Sequence, residues 1–276
     1  MLRETHFETE HGILAYWASK DWNPERPTMF FFHGVAGDHT MFEPQFAFFK
    51  DAFNIIAWDA PGHGHSRPYP EFTIDEAICL LYEIADEEDV DDFIAVGQSV
   101  GGYFIQALMA REPEIVSAFI GIGATPYGLQ YYSNADYAMM RKTVGMCKFT
   151  PWSVLKVAYA TSATHTDTGY KNAIDMVSIF DKKEYMTLTK TYCELFIHDN
   201  QNLVITCPTL IMRGEHDTIG KVRELTDAWH QHTGFDLKVI PGAGHNANTD
   251  CPDTVNQLIY DFITHEGLIQ LRKQRK

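Results

Sequence analysis

Short apolar runs that do not alternate with polar residues recur along the 276-residue chain. Thr28–His33, Asn54–Trp58, Phe93–Val96, Val116–Ile120, Thr209–Met212 and Leu237–Ile240 are mostly continuous in this sense. Strands of that kind are covered on both faces, which is the condition of a parallel sheet. Phe7–Ala18 reads as two further strands around His11-Gly12. Between the runs lie stretches of helical period at Thr73–Ala85, Val100–Arg111, Val222–Gln231 and Pro252–Ile263. Strand alternating with helix predicts an α/β architecture, a mostly parallel sheet flanked by helices.

The alternation stops between the sixth and seventh strands. Residues 126–200 carry helix-like segments and no clear strand, so an inserted helical cap is expected there, with 1–125 and 201–276 forming the core. Eight Lys/Arg against seven Asp/Glu give the cap a balance of +1, and the rest of the chain carries −16 of the net −15. Twelve aromatic residues fall in the cap, among them Tyr127, Tyr131, Tyr132 and Trp152, together with Met140. Aromatics in a helical insertion serve first to pack it down, and lining an acyl pocket is the second reading.

Charge excludes several classes of function. A net charge of −15 repels phosphate backbones and anionic lipid, so no nucleic-acid partner is expected. The basic ending Arg272, Lys273, Arg275 and Lys276 reads as a solvated tail, and the acidic run Asp86–Asp92 as a solvated loop without the alternating ligands of a calcium site. Five scattered cysteines without C-x-x-C spacing argue for reduced thiols and against structural zinc. No membrane span and no signal peptide are expected, which makes the cytoplasm the expected location. Neither a G-x-G-x-x-G after an early strand nor a metal motif is present, so no cofactor and no metal are expected. His63 and His65 lack the following Asp and His of an H-x-H metal site.

Gly97-Gln98-Ser99-Val100-Gly101 joins a predicted strand to a predicted helix. A serine on so tight a turn sits in strained backbone geometry, and glycines two positions either side remove collisions with the crossing helix. Its hydroxyl is a poor nucleophile unless a base takes the proton and an anion steadies that base. Both are at hand, each just after a strand: Pro241-Gly-Ala-Gly-His245 supplies an imidazole and Arg213-Gly-Glu-His-Asp217 a carboxylate, with Glu215 as a nearby rival.

With these motifs, from about Phe7 to Phe262, the chain resembles the α/β-hydrolase superfamily, in its capped serine-hydrolase, carboxylesterase-like branch. The resemblance implies an eight-stranded, mostly parallel sheet with an inserted helical cap. It implies Ser99 as nucleophile, His245 as general base and Asp217 as triad acid. The family's alternative place for the acid, after the sixth strand, holds Ala124 and Thr125. Two backbone amides would form the oxyanion hole, those of Val100 and of Val35 in His33-Gly-Val-Ala-Gly37. Asp59–Ser66 resembles the loop after the family's fourth strand and reads as structural. Gln98 departs from the His or Met often found beside the nucleophile.

A serine nucleophile, where dehalogenases and epoxide hydrolases of this fold carry aspartate, implies addition to a carbonyl. The expected function is hydrolysis of carboxylic esters of small to medium acyl substrates through an acyl-enzyme on Ser99. Two alternatives share the layout: an enol-lactone or carbon–carbon bond hydrolase, for which Arg141 would hold a substrate carboxylate, and a slow ligand-sensing signalling protein. The expected partner is a small-molecule acyl substrate.

Overall fold

Residues 2–269 are described by a computed structural model of the protein. The basic tail at 272–276 lies outside the described residues. Strands β1 (Leu2–Thr9), β2 (Gly12–Ser19), β3 (Thr28–Phe32), β4 (Asn54–Asp59), β5 (Phe93–Gln98), β6 (Val116–Ile122), β7 (Thr209–Gly214) and β8 (Asp236–Ile240) form one eight-stranded sheet in the order β1-β2-β4-β3-β5-β6-β7-β8. The β1–β2 and β2–β4 pairs are antiparallel, and every later pair is parallel. Helices α1 (Glu43–Phe49), α2 (Ile74–Glu87), α3 (Gly101–Arg111), α8 (Val222–Thr233), α9 (Ala247–Asp250) and α10 (Pro252–His265) flank it.

Every residue of β3, β4 and β5 is buried, as continuous apolar runs require. Neighbouring residues serve opposite faces. Phe30 and Phe32 join one core with Trp58 and Phe104, while Phe31 joins another with Phe42, Phe49 and Ile55. The helix α1 has no counterpart among the helical-period stretches; it opens on Pro44, a favoured residue in a first helical turn.

Between β6 and β7 stand four α-helices, α4 (Asn134–Cys147), α5 (Trp152–Ala163), α6 (Asp167–Ser178) and α7 (Lys182–Asp199), where the cap is expected. Their starts are set by short-range chemistry. Ser133 with Asp136 and Asp181 with Glu184 form capping boxes, and Thr166 accepts from the Gly169 N–H. The helix α7 buries Tyr185, Leu188, Tyr192 and Phe196 on one stripe, whereas α4 buries no residue. Tyr127 and Tyr132 are buried, and Tyr131, Trp152 and Met140 pack partly buried against the same core, so these side chains hold the cap down.

The acidic run departs from a plain solvated loop at Glu88. It is buried and accepts from Arg3 (2.5 Å) and the Tyr16 hydroxyl (2.7 Å), which ties the β1–β2 hairpin to the end of α2. Among the described residues no helix is long and apolar enough to cross a membrane.

Candidate active site

Ser99 stands between β5 and α3 with φ +51°, the left-handed region that a non-glycine residue adopts only under constraint. Its N–H donates to Ile122 O at 2.8 Å and its carbonyl accepts from Gly102 at 2.9 Å. The glycines around it meet different neighbours. A Cβ on Gly97 would stand 2.7 Å from the Gly102 nitrogen, one on Gly102 would stand 2.5 Å from Ala124 Cβ, and one on Gly101 would overlap the Phe32 carbonyl. Gly101 thus admits the carbonyl of the adjacent strand β3, in addition to the crossing-helix contacts that the sequence suggests.

The turn after β3 lies directly against this serine, since a Cβ on Gly34 would stand 3.2 Å from Ser99 Cβ and overlap the Gln98 amide. The Gly34 carbonyl accepts from Gly37 N (3.0 Å) and from His33 Nδ1 (2.8 Å). In a planar trans peptide the N–H opposes the carbonyl, so these bonds aim the Val35 N–H the other way. Ala36, with φ +58°, donates its N–H to His63 Nε2 at 3.1 Å. Neither the Val35 nor the Val100 N–H takes part in a ladder or turn hydrogen bond among the described residues.

His33, in this turn, and His63, in the loop after β4, are both neutral for physical reasons. Burial pushes His33 below the ordinary histidine value, against the pull of Asp59, and pushes His63 further down with the help of His33. His33 Nε2 accepts from Ala60 N (2.9 Å), which leaves its proton on Nδ1 for the Gly34 carbonyl. The loop after β4 is braced by Asp59. Asp59 accepts from His39 N, His39 Nδ1 and His65 N at 2.7–3.0 Å, joining the turns after β3 and β4. Its own burial would raise its pKa, but the His39 hydrogen bond and charge hold it below the usual carboxylate range. His65 pairs with Glu4. Among the described residues no group of three metal-ligating side chains occurs.

In the loops after β7 and β8, His245 Nδ1 lies 2.8 Å from Asp217 Oδ2, with the carboxylate fully buried. The second oxygen of Asp217 accepts from Ile219 N at 2.9 Å, so the carboxylate is fixed at both ends. Glu215 Oε2 accepts instead from Gly242 N, outside this pair. Gly123, φ +59°, sits under the imidazole, where a Cβ would approach Nδ1 to 3.0 Å. Gly123 follows Ile122, whose carbonyl holds the Ser99 N–H, so nucleophile turn and imidazole share one short stretch of backbone. Among the described residues the His245 ring is hydrogen-bonded to Asp217 and not to Ser99 Oγ; in substrate-free sites a nucleophile-to-base contact is often long and tightens on binding.

Several residues that shape this site were not legible as such. Gln98 Nε2 donates to Asn246 Oδ1 (3.0 Å) and to the His245 carbonyl (3.4 Å), bolting the nucleophile turn to the histidine loop. Asp250 accepts from Gly244 N, His165 N, Thr166 N and the Thr166 hydroxyl at 2.7–3.0 Å, bolting that loop to the α5–α6 junction of the cap. Only contacts between remote segments define these roles. Arg141, in contrast, makes two hydrogen bonds with Glu194 on the cap surface (3.1 and 3.0 Å).

A family profile described as the alpha/beta hydrolase fold matches residues 27–251. The chain is similar to 2-(acetamidomethylene)succinate hydrolase of Mesorhizobium japonicum, 23% identical over 255 residues, 86% of this chain and 88% of that protein. It is also similar to protein ABHD8 of Homo sapiens, 25% identical over 252 residues; these are 86% of this chain but 55% of that protein, so the chain spans about half that relative's length. Among solved structures, the enol-lactonase from Burkholderia xenovorans LB400 matches with a TM-score of 0.76 at 20% identity, covering 94% of this chain and 100% of that one. At that identity the likeness speaks for the fold.

Proposed function

The chain belongs to the alpha/beta hydrolase family, and from that premise we propose that it is a serine hydrolase that cleaves carboxylic esters of small to medium acyl groups through an acyl-enzyme on Ser99. In this reading the core is 1–125 with 201–276 and the cap is 126–200. One observation carries it: the buried Asp217 carboxylate accepts a hydrogen bond from His245 Nδ1–H at 2.8 Å, which fixes the tautomer and leaves Nε2 as the basic nitrogen.

Ser99 Oγ attacks the ester carbonyl carbon while its proton passes to His245 Nε2. The imidazolium so formed is steadied by Asp217. Negative charge gathers on the former carbonyl oxygen, which the Val35 and Val100 N–H groups receive. Collapse of this intermediate expels the alcohol, protonated by His245. Water then attacks the acyl-enzyme with the same base, and Ser99 leaves with its proton restored. The five free cysteines support a reducing, cytoplasmic setting.

A lactone is an internal ester, so an enol-lactonase reading uses the same steps, and the structural neighbour of that name favours keeping it second. The carbon–carbon reading loses support because Arg141, the cap's sole arginine, is engaged by Glu194. The test is Ser99→Ala on a p-nitrophenyl ester. Loss of turnover with an unchanged thermal melt is expected, and hydrolysis at the wild-type rate would refute the mechanism.

A further inference from the structure

Tyr159 reaches down from cap helix α5, and its hydroxyl donates to the Val35 carbonyl at 2.9 Å. Burial lifts this phenol above the ordinary tyrosine value, so it remains a donor through neutral and mildly alkaline pH. The bond falls on the peptide that follows the candidate oxyanion amide. The N–H of that same peptide, on Ala36, goes to His63. The preceding peptide is held through its Gly34 carbonyl by His33 and Gly37. The two peptides on either side of Val35 are thus restrained by four hydrogen bonds, of which three come from the core and one from the cap.

The restraint has something to oppose. Ala36 is held at φ +58°, in the left-handed region that an L-residue adopts only under constraint. The end of α5 is pinned as well, because Asn246 N donates to Ala163 O at 2.7 Å. The Asn246 side chain accepts from Gln98 and also faces the Tyr159 hydroxyl; its buried Nδ2 has no acceptor within hydrogen-bonding distance among the described residues. One cap tyrosine therefore stands where the nucleophile turn, the histidine loop and the oxyanion turn meet.

We propose that Tyr159 is a positioning residue for the Val35 amide, so that seating of the cap helix α5 sets the competence of the oxyanion hole. The inference rests on the reading of Ser99 as nucleophile and of Val35 as oxyanion donor. If Tyr159 is lost, the 35–36 peptide keeps only the Ala36–His63 bond, and the Val35 N–H is held less firmly in its aim. Binding of a neutral ester depends little on that aim. Stabilisation of the tetrahedral oxyanion depends on it directly.

The experiment compares the full chain with its Tyr159→Phe variant on p-nitrophenyl acetate, with a trifluoromethyl ketone as the mimic of the tetrahedral intermediate and a fluorophosphonate as label of the serine. Expected are a fall in kcat of about tenfold or more, a KM within twofold, and a weakening of the ketone by the same factor as kcat. Unchanged kcat and ketone affinity, or a change confined to KM, would overturn the inference. A wild-type chain that neither hydrolyses the ester nor takes up the label at Ser99 would instead overturn the nucleophile reading, which separates the two failures. Should the phenylalanine variant not fold, 3,5-difluorotyrosine at position 159 keeps ring and hydroxyl but acidifies the latter. Its kcat and ketone affinity should then fall together as pH rises through the hydroxyl's ionisation, with no such step in wild type; coincident pH profiles would overturn the inference.

Discussion

The rim of the sheet and the cap above it are held in place by different means. At the rim, Ser99, Asp217 and His245 each stand within five residues of a strand end, and their backbones are fixed by turns and glycines close by in sequence. The cap rests on long-range partners: Arg67 with Glu184, Arg111 with Asp199, Lys221 with Asp136, and the Asp250 cluster. Its helix α4 has no fully buried residue. The difference teaches where each property resides. The proposed triad is placed by local backbone geometry, whereas the helices between β6 and β7 are placed by how distant segments fit.

The contrast breaks most plainly at Asp217. Because Oδ1 already accepts from Ile219 N, an asparagine there would keep its oxygen on that N–H and turn its NH₂ toward His245. The imidazole would then have to accept at Nδ1 and carry its proton on Nε2, the wrong tautomer for a base. Asp217→Asn is expected to lower kcat by about 10⁴ with the fold retained. Steady-state kinetics on a p-nitrophenyl ester measures it, and a loss below tenfold would show that the acid lies elsewhere, with Glu215 the next candidate.

A smaller effect should separate rim from cap through pH. His63 must stay neutral to accept from Ala36, and its folded pKa lies well below that of an exposed histidine. The unfolded chain therefore binds more protons in the window between the two values. The stability His63 contributes is complete above about pH 6.5 and is lost as pH falls from there toward the folded value. The urea midpoint should decline below about pH 6.5, and ¹⁵N chemical shifts should show His63 unprotonated at pH 6. A protonated His63 at that pH would mean that the turn after β3 is held by something else.

The same contrast explains what could be read without coordinates. Continuous apolar runs announce a doubly covered sheet because burial on both faces leaves no room for polar alternation, as β3 to β5 illustrate. Gly97, Ser99, Gly101 and Gly102 are legible because one tight turn dictates all four. Gln98 was visible only as a departure from habit, since its partners Asn246 and the His245 carbonyl lie almost 150 residues away. Tyr159 gave no signal at all among twelve cap aromatics, because nothing near it in sequence marks the one whose hydroxyl reaches Val35. Helix α1 is hidden for a local reason: on its buried face stands polar Gln45 and on its exposed face apolar Ala47 and Phe48, so hydrophobicity does not follow burial.

The smallest expected effect tests the cap side of the comparison. Arg141 is the residue that would matter most if a substrate carboxylate were held from the cap. Its guanidinium instead meets Glu194 through two hydrogen bonds, with about half of the side chain in water. Exposed pairs of this kind are screened by solvent and salt and contribute little. Arg141→Gln should leave kcat/KM within about twofold on neutral esters and on anionic ring-cleavage analogues alike. A KM that rose severalfold for the anionic analogue alone would mean that the arginine leaves Glu194 when substrate binds. The carbon–carbon hydrolase reading would then move ahead of the ester reading, and the cap would be a direct participant in substrate choice.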